Sequence, residues 1–210
     1  MAQNTLTCTI SSTDVDLTAD GGIDWAKFGI FSYSLAKADW KAGAGALISS
    51  AVEIGSGTGS LFYTGLIREL AWTDGTNLGS FSFAGGLRFE GTGTGRGYKV
   101  TFPAGTAVKR ARLYVASYDE EIKITSTLSD GSVSPQVSTA LTRNAGTFRY
   151  GYAEVQYAAA SAGQSLDIQV ENNTADQYVM LMGASYADGT AASAYDITRM
   201  RTQQIGLLSR

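Results

Sequence analysis

The sequence predicts an all-β protein with an antiparallel, jelly-roll-like β-sandwich fold. Apolar and polar residues alternate with a period of two along many short segments, as they do in half-buried strands. Turn-forming pairs separate these segments at short intervals, which is typical of antiparallel sandwiches and barrels. The chain has 210 residues, of which 44% are hydrophobic, and this is sufficient for one sizeable core.

The alternation is clearest in the second half of the chain. In residues 109–115, Ala111, Leu113 and Val115 fall on one face of a predicted strand. The same pattern predicts strands over residues 121–128, 150–157, 165–171 and 177–185. The Asp130-Gly131 pair predicts a tight turn in which glycine supplies a positive φ.

The first half of the chain has a weaker pattern. Residues 14–18 and 23–28 read as strands, and Trp25 in the second strand is expected in the core. The glycine-dense segments 55–60 and 91–97 are predicted to be flexible loops. No linker interrupts the chain, so we expect one sandwich domain over residues 1–190.

Residues 191–210 are predicted to form a C-terminal arm or a closing edge segment. The segment mixes basic and apolar residues, unlike a solvated tail or a regular amphipathic helix. An arm that docks on a neighbouring surface would have these candidate partner-binding residues: Ile197, Arg199, Met200, Arg201, Leu207 and Leu208. An edge strand of the same domain is the alternative.

Composition excludes several kinds of chemistry. The chain has no histidine and a single cysteine, Cys8, which removes Ser-His-Asp catalysis, Cys-His catalysis and the usual zinc sites. The net charge of −3 gives no field that attracts nucleic acid or an anionic membrane. We therefore expect no catalytic residue, no metal and no cofactor, and predict that the protein is not an enzyme.

Acidic residues leave two alternatives open. Asp14, Asp16 and Asp20 resemble part of a calcium loop, but Ala19 and Trp25 stand where an EF-hand needs glycine and glutamate. Turn capping by these aspartates is the favoured interpretation. The run 119–121 is expected to form a solvated hairpin tip, and a carboxylate-based glycosidase is the third-ranked function.

Two aromatic groups are candidate ligand-binding residues. Trp72 precedes the turn residue Asp74, and a loop tryptophan can stack on a sugar ring. Tyr150 and Tyr152 share one strand face with two hydrogen-bonding residues, which would suit a glycan or a protein partner. The alternatives are a core position for tryptophan and an ordinary solvated strand face for the tyrosines.

Several segments in order over residues 14–185 resemble a module of secreted bacterial proteins that is often appended to carbohydrate-active enzymes. The matching segments are 15–25, 42–49, 72–76, 97–104, 113–115, 128–131 and 157–163. The resemblance implies a non-catalytic, jelly-roll-like sandwich. The chain departs from such modules in lacking an export signal, in lacking the histidine that often follows the first Trp-Ala, and in its C-terminal arm.

The composition, rich in Gly, Ser, Thr and Ala, is also similar to that of bacteriophage virion proteins. The leading hypothesis from sequence is therefore a non-enzymatic structural or adhesion component of a phage virion, either a capsid decoration or a tail protein. Its partners would be other virion proteins and further copies of itself, with a cell-surface glycan as a further ligand. The alternative hypothesis is a free, extracellular glycan-binding module of a bacterial protein.

Overall fold

The computed structural model of the chain describes residues 1–63, 67–90, 93–142, 146–174 and 178–190, apart from the side chains of residues 58 and 90. The elements in order are β1 (Gln3–Ile10), β2 (Val15–Asp16), α1 (Leu17–Asp20), β3 (Asp24–Phe28), β4 (Lys37–Trp40), β5 (Val52–Ile54), β6 (Thr58–Tyr63), β7 (Leu70–Trp72), β8 (Phe81–Phe83), β9 (Gly85–Glu90), β10 (Gly97–Ala104), β11 (Lys109–Tyr118), β12 (Ile122–Leu128), β13 (Gln136–Leu141), β14 (Phe148–Ala158), β15 (Gln164–Asn172) and β16 (Tyr178–Asp188).

Two antiparallel sheets form the sandwich and confirm the predicted fold class. Within the described ranges, the larger sheet has eight strands, with the order β1-β14-β11-β16-β3-β4 and with β9 and β6 joined beside β16. The smaller sheet has five strands in the order β13-β12-β15-β10-β5. From β10 to β16 the chain changes sheet at every connection except the one between β12 and β13. This alternation is the jelly-roll-like feature of the fold.

The main core lies between these two sheets. The alternating residues of β11 and β14 that point inward, such as Leu113 and Val155, are fully buried there. They meet the inward residues of β10 and β15, such as Val100 and Ile168. Burial on one face of each strand explains why the period-two pattern of the second half predicted its strands.

A third layer covers the outer face of the large sheet. It consists of the short strands β2, β7 and β8, together with the single turn of α1. A second core lies beneath it, where Leu17, Leu70 and Trp72 pack against Tyr114 and Met180 of the large sheet. The outward residues of β11, β14 and β16 are therefore covered by protein over much of their length.

The structure corrects two predicted elements in the first half of the chain. Residues 14–18 contain only the two strand residues of β2, because Asp16 caps α1 by accepting hydrogen bonds from the amides of Thr18 and Ala19. The predicted loop 55–60 already contains the start of β6. The predicted strand at 23–28 and the core position of Trp25, which has no exposed surface, are confirmed.

Two turn predictions have opposite outcomes. Gly131 has a φ of 63°, so the predicted positive φ is confirmed. The run 119–121 is not a solvated hairpin tip, because Glu120 is completely buried. Its Oε1 accepts a hydrogen bond of 2.7 Å from the amide of Thr174, which ties the β11–β12 connection to the segment after β15. Among the described residues, no helix has the length and apolar character needed to cross a membrane.

Candidate functional site

Trp72 lies in the second core and does not present a ring to solvent. Its side chain is 1% exposed, and its ring centroid lies 5.4 Å from that of Trp25 and 5.8 Å from that of Phe81. The indole Nε1 donates a hydrogen bond of 2.8 Å to Oδ2 of the buried Asp39. The expectation that Trp72 offers an open face to a sugar is therefore wrong, because both its rings and its polar atom are already used inside the protein.

Asp74 lies close to Trp72 in the fold but bonds the other tryptophan. Its Oδ1 accepts hydrogen bonds from Nε1 of Trp25 at 2.8 Å and from Oγ1 of Thr18 at 2.7 Å. Its Oδ2 lies 3.5 Å from Nζ of Lys41. Burial alone would raise the pKa of this carboxyl, but the two hydrogen bonds and Lys41 together lower it. The geometry gives Asp74 a role in fixing Trp25.

Tyr150 and Tyr152 share one face of β14, as predicted, but their surroundings differ. Tyr150 is only 6% exposed and packs in the second core, where burial raises the pKa of its hydroxyl. Tyr152 is half-buried, with the guanidinium of Arg112 4.7 Å from its ring centroid. Arg112 Nε also donates a 2.7 Å hydrogen bond to Glu154 on the same face. Ligand binding by Tyr152 stays a prediction, whereas Tyr150 lies under the third layer.

The candidate partner-binding residues Ile197, Arg199, Met200, Arg201, Leu207 and Leu208 lie outside the described residues, as does the whole predicted arm.

A cavity of about 320 Å³ opens between two loops that the sequence did not single out. One wall is formed by residues 29–38, which connect β3 to β4 and begin β4. The other wall is formed by Asn77 and Leu78, in the connection between β7 and β8. We refer to this cavity as the loop pocket. It lies at the margin of the third layer, where loops meet and side chains are free to face solvent.

Phe31 is the prominent apolar side chain of the loop pocket. It is 72% exposed, and its ring meets that of Phe81 edge to face with centroids 5.9 Å apart. Phe81 in turn packs on the buried Trp72. The exposed ring therefore has a rigid apolar support beneath it, and this is the arrangement that presents a flat aromatic surface to a ligand.

Buried hydrogen bonds hold the first wall in place. The ammonium of the fully buried Lys27 donates to the carbonyl oxygens of Phe28 at 2.7 Å, Gly29 at 3.3 Å and Gly85 at 2.7 Å. Further along the wall, the hydroxyl of Tyr33 donates to the carboxylate of Glu53 in β5. These contacts anchor the loop on both sides of Phe31 and leave that ring outside.

Asp39 links the second wall to the core. Its Oδ1 accepts a hydrogen bond of 2.8 Å from the amide of Asn77, and its Oδ2 accepts one of 3.2 Å from the amide of Leu78. The same carboxylate accepts from the amide of Trp40 at 2.9 Å in addition to the indole of Trp72. One buried side chain therefore positions the wall of the loop pocket and the tryptophan beneath it.

The polar groups of the loop pocket are suited to hydrogen bonding rather than to bond cleavage. Ser32, Ser34 and Asn77 are exposed, and each carries a hydroxyl or amide beside the aromatic ring. Lys37 also lines the pocket, but its ammonium donates to the carbonyl oxygen of Ile48 at 2.6 Å, and burial lowers its pKa. Within the described residues, no group of three or more His, Cys, Asp or Glu side chains is placed to hold a metal ion.

Periodicity could not have found the loop pocket, because its walls are almost forty residues apart in sequence and are joined by long-range contacts such as those of Asp39 and the hydrogen bond from the Asn77 side chain to the Ala38 carbonyl oxygen. The available local signal was Phe31 itself, which stands in a loop next to Ser32 after the glycine that ends β3. An aromatic residue among small polar residues in a loop is a recurrent feature of binding surfaces.

Comparison with protein-family models gives no match for this chain, and comparison with curated proteins gives none either. One solved structure with a similar fold is that of TmCBM61, a carbohydrate-binding module, in complex with β-1,4-galactotriose. The two chains are 9% identical and superpose with a TM-score of 0.41 over 66% of this chain and 88% of the other.

Proposed function

We propose that the protein is a non-catalytic carbohydrate-binding module and that the loop pocket is its binding site. The observation that carries this proposal is the exposed Phe31 ring, supported by Phe81 and bordered by the polar side chains of Ser32, Ser34 and Asn77. A pyranose ring has an apolar face of axial C–H groups and a rim of hydroxyls. The aromatic ring would stack on that apolar face, and the serine and asparagine side chains would form hydrogen bonds with the hydroxyls.

The anchoring of both walls favours binding without a large ordering cost. Hydrogen bonds of Lys27 and Tyr33 fix the first wall, and hydrogen bonds to the buried Asp39 fix the second wall. A loop that is already held in its binding conformation loses little conformational entropy when the ligand arrives. A low entropy cost is important for sugar binding, because each sugar hydroxyl replaces a hydrogen bond to water with one to protein and gains little free energy.

The chemistry of the pocket favours recognition over catalysis. Asp39 is the carboxylate that joins the two walls, and four N–H donors already bond its two oxygens. A carboxylate that is saturated in this way has no lone pair directed at a substrate proton, so it is poorly suited to act as a general acid or base. The sequence resemblance to modules appended to carbohydrate-active enzymes supports the same proposal.

The phage virion hypothesis stays a prediction. It depends on the predicted role of residues 191–210, which lie outside the described residues, and on a similarity of composition. Loss of particle incorporation on deletion of residues 195–210, with the sandwich still folded, would support it. The loop pocket lies within the described residues, and it carries the functional proposal.

A glycan array followed by isothermal titration of each hit tests the proposal. We expect Phe31→Ala to weaken binding at least about tenfold, equivalent to about 1.4 kcal/mol, because the ring supplies the stacking surface. Val137→Ala is the matched control, since Val137 is 62% exposed and lies on β13 of the other sheet. Equal affinities of the wild type and Phe31→Ala for every hit would contradict the assignment of this site.

A further inference from the structure

A second aromatic pair lies beyond the loop pocket, formed by Tyr63 at the end of β6 and Phe83 of β8. The rings of Tyr63 and Phe83 stack with centroids 5.1 Å apart, and Tyr63 is 66% exposed. Phe83 and Phe81 are alternate residues of β8, so their side chains leave the strand on the same face at a spacing of about 6.7 Å. Phe31, Phe81, Phe83 and Tyr63 therefore form a row, which we call the aromatic seam.

Buried residues beneath the Tyr63–Phe83 pair hold the ring of Phe83 in place. Nζ of the buried Lys27 lies 5.2 Å from the centroid of the Phe83 ring, a cation–π contact inside the protein. Gly85 allows the ring to lie against β9, because a Cβ on Gly85 would come within 2.5 Å of Phe83. The two aromatic pairs are thus fixed to one scaffold and share the strand β8.

The edge of β8 adds polar groups along the aromatic seam. β8 pairs with β7 on one side and, in the described part of the chain, has no strand on its other side. The exposed Ser82 between the two phenylalanines projects from the opposite face of β8, so the polar groups beside the rings are the edge backbone groups of this strand. Stacking surfaces that alternate with hydrogen-bonding groups match a chain of sugar units better than they match one unit.

The aromatic seam has no charged side chains of its own, and this favours one class of ligand. The seam residues and Ser32, Ser34 and Asn77 of the loop pocket carry no ionisable carboxylate or amine. Lys37, at the pocket floor, directs its ammonium to the carbonyl oxygens of Ile48 and Ala46. A ligand with regularly spaced negative charges would lose hydration there without gaining a counter-charge, so the surface suits a neutral ligand.

We infer that the protein binds neutral, extended oligosaccharides of several units, with one part of the chain on Phe31 and Phe81 and a further part on Tyr63 and Phe83. This inference rests on the proposed carbohydrate-binding function and specifies its ligand. The ligand would be an internal stretch of a linear polysaccharide, because both ends of the aromatic seam are open to solvent at Phe31 and Tyr63. Affinity would then depend on chain length.

Titration with neutral β-1,4-linked gluco-, manno- and xylo-oligosaccharides of increasing length, from disaccharide to hexasaccharide, tests the inference. We expect affinity to rise at least about fivefold between the shortest and longest member of the preferred series, because the longer chain reaches the second pair. We expect Tyr63→Ala to remove that gain, so that its affinity for the longest member no longer exceeds its affinity for the disaccharide. Tyr63→Phe keeps the ring and should keep most of the gain.

The outcomes separate this inference from the proposed function. If Phe31→Ala abolishes binding while affinity is independent of length and of Tyr63, the loop pocket stands and the aromatic seam is overturned. If no oligosaccharide binds, or Phe31→Ala has no effect, both proposals are overturned. Tighter binding of an oligouronate than of the neutral chain would overturn the charge argument. A concentration-dependent dimer that Tyr63→Ala dissociates, with no oligosaccharide bound, would instead assign the aromatic seam to self-association.

Discussion

At the scale of single residues, two carboxylates decide the role of the two buried tryptophans. Asp39 accepts a hydrogen bond from the indole of Trp72, and Asp74 accepts one from the indole of Trp25. An indole N–H that is buried without an acceptor is costly, so these pairs let both large rings enter the second core. Trp72 and Asp74 are near neighbours in sequence, but each is hydrogen-bonded to a partner that lies far away along the chain.

Asp39 allows a sharp test of this arrangement. In Asp39→Asn, one of the two oxygens becomes an NH₂ group that faces backbone and indole N–H donors and accepts nothing from them. Each donor left without an acceptor costs about 1–3 kcal/mol, so we expect the free energy of unfolding to fall by at least about 2 kcal/mol. Urea denaturation followed by tryptophan fluorescence measures the change.

Asp188→Asn is the matched control for Asp39→Asn. Its side chain is 82% exposed and bonds Lys109 at the surface, so the same substitution should change the free energy of unfolding by less than about 0.5 kcal/mol. If both variants lose the same amount of stability, the buried carboxylate is not the link between the loop pocket and the core.

At the scale of elements, burial decides which strands could be predicted from sequence. β11, β12, β14, β15 and β16 each have one face in the main core, so their apolar residues alternate and their positions were predicted within a few residues. The third layer is different, because β2, β7 and β8 have two or three residues each. A strand of two or three residues is too short to show period-two alternation. Packing around Trp72 and α1 determines where these strands form.

The loop between β3 and β4 depends on a backbone conformation that favours glycine. Gly29 has a φ of 57°, and a Cβ there would lie 3.0 Å from the backbone of Gly86 and 3.0 Å from Leu87. The same residue receives a hydrogen bond from the Lys27 ammonium on its carbonyl oxygen. The entry to the loop pocket is therefore fixed by both sterics and a hydrogen bond, and neither is visible in a pattern of apolar residues.

A Cβ added at Gly29 has two costs, which are the strain of the left-handed backbone conformation and the close contacts with neighbouring atoms. Comparison of Gly29→Ala with the same substitution at a second glycine separates them. Gly163 has a φ of 74°, but a Cβ there meets nothing within 4 Å, so Gly163→Ala costs only the strain of the left-handed conformation, about 1–2 kcal/mol. We expect Gly29→Ala to lose more than this and to weaken oligosaccharide binding, because the wall must shift to admit the Cβ. Equal losses of stability and unchanged binding would show that the close contacts at Gly29 are relieved without moving the loop.

At the scale of the whole molecule, the three-layer architecture explains why the sequence predicts the sandwich correctly and the exposed surface incorrectly. The two-layer sandwich follows from the alternating second half of the chain, and it was predicted. The third layer comes from short elements of the first half, and it converts a strand face that looked solvated into a second core containing Tyr150. The same layer creates the margin at which the loop pocket and the aromatic seam lie. The exposed surface was therefore harder to predict than the core, since it depends on which outward face the third layer leaves open.

Buried ionisable groups from several elements determine how stability of the whole molecule depends on pH. Burial lowers the pKa of Lys27 to about 7 from its ordinary value of 10.5. Lys27 pairs in register with Asp39 of β4 and with Gly183 of β16, and the Asp39 carboxylate is bonded to four N–H groups rather than to the ammonium. At high pH the buried tyrosines have the opposite effect on the pH dependence of stability. Burial raises the pKa of four tyrosine hydroxyls above the ordinary 10.0, those of Tyr98, Tyr114, Tyr150 and Tyr157.

These shifts predict a stability maximum on the alkaline side of neutrality. Between about pH 7 and 10.5 the unfolded chain keeps the Lys27 proton that the folded chain has lost, so the free energy of unfolding rises with pH, by at most about 1.4 kcal/mol per pH unit. Above pH 10 the unfolded chain loses tyrosine protons that the folded chain keeps, so the free energy of unfolding falls again. Urea denaturation at intervals from pH 6 to 11 measures this profile. Lys27→Met, which removes the amine with the large shift, should remove most of the rise and keep the fall, leaving the smaller part that the lowered pKa of Lys37 supplies. An undiminished rise in Lys27→Met would mean that Lys27 is not its main source.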